Sequence, residues 1–131
     1  MIGSADEFVT LRSSGDPAEY RRAAHEEAPL AVWLAVIDGH PEYRKWVAHN
    51  KTVPLEVLDL LAGDEDAIVR LRVAGKRKVS DRILRRLADD SHESVRMRVA
   101  RHRNASRETL RLLEQDSWDE VRKVVRDRLT D

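Results

Sequence analysis

The segment from Asp64 to Asp90 recurs at a fixed distance of 26 residues toward both ends of the chain. Two polar ladders run through these copies in strict register, with aspartates at Asp38, Asp64, Asp90 and Asp116 and arginines at Arg44, Arg70, Arg96 and Arg122. A constant period of roughly 20 to 50 residues is typical of a stacked array of small structural units. The repeat therefore constrains the fold more tightly than the composition does.

Apolar residues within each copy have helical spacing. The valine pairs are Val69 and Val73, Val95 and Val99, and Val121 and Val125, and the leucine pairs are Leu58 and Leu61, Leu84 and Leu87, and Leu110 and Leu113. Spacings of three and four residues place each pair on one face of a helix. No segment alternates polar and apolar residues long enough to form a strand. We therefore predict an all-α chain in which each copy contributes two short helices.

A short polar link joins the two helices of each copy. The three links are Asn50-Lys51-Thr52, Lys76-Arg77-Lys78 and His102-Arg103-Asn104. Ser80 and Ser106 follow two of these links and are predicted N-caps, because a serine oxygen accepts hydrogen bonds from the free N–H groups of a first helical turn. Helices of about nine to twelve residues do not persist alone in water, so the units are expected to fold by stacking on one another.

We predict a single domain, residues 1–131, with distinct ends. Residues 1–37 are expected to form an irregular N-terminal repeat and cap, residues 38–116 the regular repeats, and residues 117–131 a C-terminal capping helix. Terminal units of repeat arrays are commonly atypical in this way.

Two local observations refine these ends. The pair Tyr20-Arg21 resembles Tyr43-Arg44 at a distance of 23 residues, which predicts a shortened first unit. The last helix is expected to present basic side chains to water at the open end of the array, namely Arg122, Lys123, Arg126 and Arg128.

The ladder pattern resembles a known repeat family. An aspartate stands six residues before an arginine that follows a valine, as in Asp64 and Arg70 after Val69, and the same pattern recurs twice toward the C-terminus. It is similar to the variant leucine-rich repeat, a relative of HEAT-like helical repeats. The resemblance covers residues 38–129 well and residues 16–37 loosely. It implies a short right-handed α-solenoid of about four to five two-helix repeats with one concave and one convex side.

Composition excludes several classes of site. The chain has no cysteine, so it has no disulfide framework, thiolate metal site or cysteine nucleophile. This also excludes thiolate binding of the iron–sulfur cluster that some variant leucine-rich repeat proteins carry, and we expect no cofactor. Residues 1–15 lack the features of a signal peptide, and no segment has the apolar length needed to span a bilayer. We expect a cytoplasmic protein that does not enter a membrane.

Charge is distributed unevenly along the chain. Residues 1–68 contain 6 Lys/Arg and 13 Asp/Glu, a net charge of −7, whereas residues 69–131 contain 18 and 11, a net charge of +7. Such a split indicates an anionic partner for the basic half, or weak head-to-tail self-association at low ionic strength. A well-solvated surface with no partner is the alternative.

Both ladders are interpreted as structural. An aspartate at the start of a helix can accept hydrogen bonds from exposed backbone N–H groups. An arginine in the same copy can bind the aspartate of the neighbouring copy. Polar residues that recur with the period are what contacts between stacked units require.

A second set of basic residues is the better functional candidate. At the 26-residue period these residues superpose in columns on the links and on both helices, which predicts a basic edge. The predicted edge comprises Lys51, Arg72, Lys76, Arg77, Lys78, Arg85, Arg98, Arg101, Arg103 and Arg111; His102 adds to the link column. Such an edge could bind phosphates or an acidic protein surface.

Aromatic and histidine residues give weaker signals. Trp33, Tyr43 and Trp46 lie in the acidic half and are interpreted as core, or as one anchor patch for a protein partner. His25 and His92 each precede a glutamate. Those two pairs occupy non-equivalent positions in their copies, so we predict no metal site.

These observations favour a non-enzymatic protein-interaction module. No catalytic arrangement of nucleophile and base, glycine-rich phosphate loop or paired-carboxylate motif is present in the sequence. Small helical-repeat proteins of this type resemble bacterial adaptors or inhibitors, and we expect a partner protein with an acidic surface. The alternative is a nucleic-acid-binding protein that uses the basic columns of residues 69–111.

Overall fold

The structure, a computed structural model, describes residues 1–130, and these residues contain helices and no strand. The helices are α1 (Ala5–Ser13), α2 (Pro17–His25), α3 (Leu30–Gly39), α4 (Arg44–His49), α5 (Leu55–Leu61), α6 (Ala67–Ala74), α7 (Asp81–Leu87), α8 (Glu93–Arg101), α9 (Arg107–Arg111) and α10 (Asp119–Leu129). A 3₁₀ turn at Pro41–Tyr43 precedes α4. The predicted all-α class is confirmed.

Side-chain caps set where the helices begin. Ser80 accepts a hydrogen bond from the backbone N–H of Ile83, and Ser106 accepts one from Thr109. Both serines are thus the N-caps that the sequence predicted. His92 caps α8 with an imidazole instead, since its Nδ1 accepts from the N–H of Ser94 at 3.2 Å.

The chain divides into two compact units, Met1–Leu61 and Ala62–Asp131. In the first unit, α1 packs on α2 and α3, and α3 packs on α4 and α5. Phe8 and Trp33 meet edge to face there, with ring centroids 5.3 Å apart, and both are buried. In the second unit, α6 packs on α8 and α8 packs on α10. All twelve residues of the predicted valine and leucine pairs are buried, the most exposed at 3%.

Arginine–aspartate contacts tie the successive copies of the second unit together. Arg70 Nε donates to Asp90 Oδ2 at 2.7 Å, while its Nη1 donates to the backbone carbonyl of Asp64 at 2.8 Å. Arg96 repeats both contacts 26 residues later, with Asp116 Oδ1 at 2.6 Å and the Asp90 carbonyl at 2.8 Å. Each arginine therefore joins the aspartate of its own copy to that of the next.

The carboxylate of Asp90 is held in its ionised form. Burial raises the pKa of this group, but hydrogen bonds from Arg70 and from the backbone N–H of His92 outweigh burial, so the pKa lies below its ordinary value of 3.8. The same hydrogen bond raises the pKa of Arg70. Only 15% of the Arg70 side chain and 5% of the Asp90 side chain are exposed, so water screens the pair weakly.

The ladder is different in the first unit. Arg44 Nε donates to the carbonyl of Ile37 at 2.8 Å. Asp38 is exposed, and its side chain forms no hydrogen bond or ion pair with any residue in the described part of the chain. Among the described residues, Asp38 therefore lacks the arginine contact that Asp90 and Asp116 make.

The links are held by their own side chains, a role that the sequence did not reveal. Asn50 is fully buried, and its Nδ2 donates to the carbonyls of Ala23 and Glu26 at 2.7 and 3.1 Å. His102 occupies the equivalent position two copies later, and its Nε2 lies 2.7 Å from the Lys76 carbonyl. Its Nδ1 accepts from a backbone N–H at 3.0 Å, so Nε2 carries the proton and donates.

The link contacts of the first unit span nearly the repeat distance of 26 residues. Asn50 reaches carbonyls 24 and 27 residues earlier in the chain, and the backbone N–H of Lys51 donates to Ala24. The shortened first unit inferred from the 23-residue offset of the two Tyr-Arg pairs stays a prediction. His102 is buried as well, and it does not belong to an exposed basic column.

We expect Asp90→Asn to lower the free energy of unfolding by roughly 2 to 4 kcal/mol, because it leaves the mostly buried Arg70 without its carboxylate partner. Asp38→Asn is the matched control at the equivalent ladder position, and its effect is expected to stay within about 0.5 kcal/mol. Urea denaturation of both variants measures the difference. Equal destabilisation by the two substitutions would contradict a ladder that acts through the Arg70–Asp90 contact.

Acid is expected to weaken the wild-type protein more steeply than the Asp90→Asn variant. Because the folded protein lowers the pKa of Asp90, the stabilisation from this group is complete above its ordinary value of 3.8 and is lost as pH falls through the lower folded value. Denaturation midpoints measured from about pH 5 downward test this dependence. Parallel pH profiles for the two proteins would rule it out.

Candidate interaction surface

Arginines of the second unit fall into two groups, and the first group serves the fold. Arg70 and Arg96 belong to it through the ladder contacts. Arg122 Nη1 donates to the carbonyl of Asp116 at 2.5 Å, and Arg128 Nη1 donates to the carbonyls of Ala100 and His102 at 2.8 and 2.7 Å.

The contacts of Arg122 and Arg128 change the interpretation of the last helix. Both were expected to face water, but each satisfies backbone carbonyls outside its own helix. Arg126 is exposed, as expected of the open end, and Lys123 is exposed beside Asp119 and Glu120.

The second group is exposed and has no partner among residues 1–130. Arg77, Arg98, Arg101, Arg103 and Arg111 make no side-chain hydrogen bond or ion pair with the described residues. Five guanidinium groups of the predicted basic edge are therefore available to a partner. Each presents five N–H donors in a fixed planar arrangement that suits carboxylates and phosphates.

Four of these arginines lie around two adjacent links. The Asn104 Nδ2 donates to the carbonyl of Arg77 at 2.9 Å, so the link containing Arg77 lies against the link containing Arg103. Arg101 immediately precedes His102, which binds the Lys76 carbonyl. We refer to Arg77, Arg98, Arg101 and Arg103 as the link-arginine cluster.

Gly75 brings Arg98 into the same cluster. A Cβ atom at this position would lie 2.6 Å from Arg98 Nη1, closer than a side chain tolerates. The absence of a side chain therefore lets the Arg98 guanidinium lie directly against the end of α6, beside the link that carries Arg77.

The other predicted edge residues have different surroundings. Arg85 Nη2 contacts Glu108 at 3.1 Å and Asp81 at 3.8 Å, so its charge is partly balanced. Arg72 and Lys76 are half-buried, and displacement of water around the ammonium lowers the pKa of Lys78. Lys51 is exposed but belongs to the first unit.

The three aromatic residues do not form one exposed patch. Trp33 is 1% exposed and lies in the core, which was one of the two interpretations of this group. The Tyr43 hydroxyl lies 2.5 Å from the Ser13 hydroxyl. Trp46 is half-buried, and the Arg12 guanidinium lies 3.5 Å from its ring centroid.

A pocket of about 280 Å³ opens beside Trp46 in the first unit. Its polar and aromatic lining residues are Arg12, Tyr20, Arg21, His25, Trp46 and His49. Sequence reasoning missed it because no periodic spacing links Arg12 on α1 to Trp46 on α4.

A shallower groove of about 260 Å³ in the second unit is lined by Glu93, Arg96, Ser117 and Trp118. Its arginine is already bound to Asp116. Within residues 1–130, no group of three or more His, Cys, Asp and Glu side chains is placed to hold a metal ion. Over the same residues, no helix combines the length and apolarity that crossing a membrane requires.

No family model, curated protein or solved structure matches this chain. The resemblance to helical repeats therefore continues to depend on the ladder residues and the apolar spacing. Function has to be inferred from the charges and contacts of the chain itself.

We expect Arg77→Gln combined with Arg103→Gln to leave the free energy of unfolding within about 0.5 kcal/mol of the wild type, because neither side chain has a partner among residues 1–130. Arg70→Gln makes the same chemical change at a ladder position and is expected to cost roughly 2 to 4 kcal/mol. Urea denaturation compares the variants. A loss for the double variant as large as that for Arg70→Gln would show that the fold uses the link arginines.

Proposed function

We propose that the protein is a non-enzymatic interaction module that binds an acidic surface of a partner protein through the link-arginine cluster. The observation that supports this proposal is the contrast between the two groups of arginines. Arg70 and Arg96 are saturated by carboxylates and carbonyls, whereas Arg77 and Arg103 are exposed without a counter-charge from the described residues. Exposed guanidinium groups can form bidentate hydrogen bonds with carboxylates of a partner.

The proposed scaffold is a single domain, a short right-handed α-solenoid of HEAT-like or variant leucine-rich repeats. Support comes from contacts that recur with the sequence period. The Arg70–Asp90 contact returns as Arg96–Asp116 within the second unit. Asn50 in the first unit and His102 in the second each bind a carbonyl of the preceding link. Such repetition presents equivalent link positions at regular steps.

A protein partner is favoured by the chemistry of the same unit. Arginine is enriched at the energetically dominant positions of protein interfaces. The second unit also exposes large apolar side chains, with Leu112 and Ile68 exposed by 59% and 52%. A partner could bury these residues alongside the charges. Adaptor and inhibitor roles both fit this mode of binding, and we propose a cytoplasmic location.

Nucleic acid is the second candidate ligand. Arg77 and Arg103 occupy equivalent positions on links that are directly hydrogen-bonded through Asn104, so their charges recur at the step of the repeat. A regular row of guanidinium groups can bind successive phosphates with release of counterions. Such binding weakens steeply and log-linearly with salt concentration, which separates it from recognition of a protein.

A pull-down from nuclease-treated cell extract tests the leading proposal. We expect the wild-type protein to retain an acidic protein, and Arg77→Glu combined with Arg103→Glu to reduce its recovery about tenfold or more, because two charge reversals place like charges opposite the partner. Quantitative mass spectrometry of the eluates measures the recovery. Arg126→Glu is the control, since Arg126 is an exposed arginine on α10, outside the cluster.

Equal recovery by the wild type and the double variant would remove the link-arginine cluster from the function. If Arg126→Glu reduces recovery of the partner as much as the double variant does, the effect is a general consequence of charge. Binding of generic DNA or RNA that is stronger at low salt, and that weakens in the double variant, would support the second candidate instead.

A further inference from the structure

We propose that the first unit carries a separate binding site, a pocket for a small phosphate monoester centred on Arg12. The site is independent of the link-arginine cluster, which belongs to the second unit. It is the pocket of about 280 Å³ beside Trp46. We refer to it as the Arg12 pocket.

Arg12 is held in place by aromatic rings. Its guanidinium lies 3.5 Å from the centroid of Trp46 and 5.7 Å from that of Tyr20. Stacking on an indole holds a guanidinium by its flat faces and leaves the N–H groups at its edge. Among residues 1–130, no carboxylate or carbonyl accepts a hydrogen bond from the Arg12 side chain. Its donors are therefore oriented but unused, although the side chain is half-buried.

Further nitrogen-bearing side chains line the pocket beside Arg12. Arg21, His25 and His49 line the pocket, and no aspartate or glutamate among the described residues does so. Arg21 is exposed and makes no ion pair or side-chain hydrogen bond with the described chain. Two guanidinium groups thus line one cavity that no carboxylate among residues 1–130 lines, and an anion is the ligand that this arrangement stabilises.

Packing of α2 against α4 fixes the walls of the pocket. Asn50 ties the end of α2 to the end of α4 through the carbonyls of Ala23 and Glu26. The backbone N–H of Lys51 adds a hydrogen bond of 2.8 Å to the carbonyl of Ala24. His25 and His49 stand on these two helix ends. Since three hydrogen bonds tie the supporting backbone, the two helix ends that carry His25 and His49 are positioned before a ligand arrives.

A phosphate group fits the donors better than a carboxylate does. One guanidinium satisfies both oxygens of a planar carboxylate in a bidentate contact, which would leave Arg21 and the histidines unused. A phosphate monoester has three terminal oxygens in a tetrahedral arrangement and a charge near −2. It can accept hydrogen bonds from several directions and balance two guanidinium charges at once.

The volume and the lining of the pocket restrict the organic part of the ligand. The pocket volume of about 280 Å³ lies just below the range for small-molecule sites, which begins at about 300 Å³. Ala23, Ala24 and Trp46 supply the apolar part of the lining. We therefore assign the site to a small phosphate monoester whose organic part is apolar or aromatic.

Phenyl phosphate is the probe for this assignment. We expect it to quench or shift tryptophan fluorescence of the full chain and to give a saturable isotherm by calorimetry. Benzyl alcohol, which lacks the charge, is expected not to bind. The affinity for benzoate is expected to be at least about tenfold lower than that for phenyl phosphate. Comparison with the affinity for inorganic phosphate measures how much the phenyl group contributes to binding. Benzoate binding as tight as phenyl phosphate, or no saturation by phenyl phosphate at millimolar concentration, would overturn the proposal.

Substitutions locate the bound probe. We expect Arg12→Gln and Arg21→Gln each to weaken phenyl phosphate binding about tenfold or more, since each removes a charged hydrogen-bond donor. Arg103→Gln removes the same charge from the second unit and is expected to leave the affinity within about twofold. Arg21 is exposed and supports no packing, so its substitution tests the site even if Arg12→Gln lowers stability. Wild-type affinity in Arg21→Gln, or equal losses in Arg21→Gln and Arg103→Gln, would refute the Arg12 pocket.

Discussion

Backbone carbonyls at the ends of short helices must be satisfied, and most polar contacts of this protein follow from that requirement. The last four carbonyls of any helix lack a hydrogen-bond donor within the helix. A helix as short as the five-residue α9 therefore has few carbonyls that are bonded within the helix. Arg70 and Arg96 donate to carbonyls six residues earlier, while Asn50 and His102 reach carbonyls of the preceding link. An unsatisfied buried carbonyl costs roughly 1 to 3 kcal/mol, so these side chains determine whether copies can stack.

The same requirement divides the arginines by function. An arginine that satisfies a carbonyl and a carboxylate, as Arg70 does, has little left for a ligand, and its substitution acts first on stability. Arg77 and Arg103 are exposed. The carbonyls of Lys76 and Arg77 already accept hydrogen bonds from His102 and Asn104 of the following link. Because the fold does not need these two guanidinium groups, their charge remains available for binding.

Sequence reasoning succeeded where one residue type keeps one role in every copy. The valine and leucine pairs are buried throughout, and the aspartates and arginines of the second unit meet at the repeat distance. It failed where geometry matters more than residue type. Asn50, Lys76 and His102 are equivalent in register but chemically unlike, so no pattern marked the first and last as buried donors. The Arg12 pocket could not be foreseen either, because packing of α1, α2 and α4 assembles it.

Net charge along the chain does not record which individual charges the fold leaves without a partner. The acidic half contains the Arg12 pocket, and two carboxylates near α2 are engaged by another arginine. Arg22 hydrogen-bonds Glu26 and lowers the pKa of that group to about 2, and it also lies 3.6 Å from Glu7. Two carboxylates near α2 are thus committed to one arginine, and Arg12 and Arg21 are left without them. Binding depends on which charges the fold leaves unmatched within hydrogen-bonding distance of a cavity. The net charge of a chain segment does not contain this information.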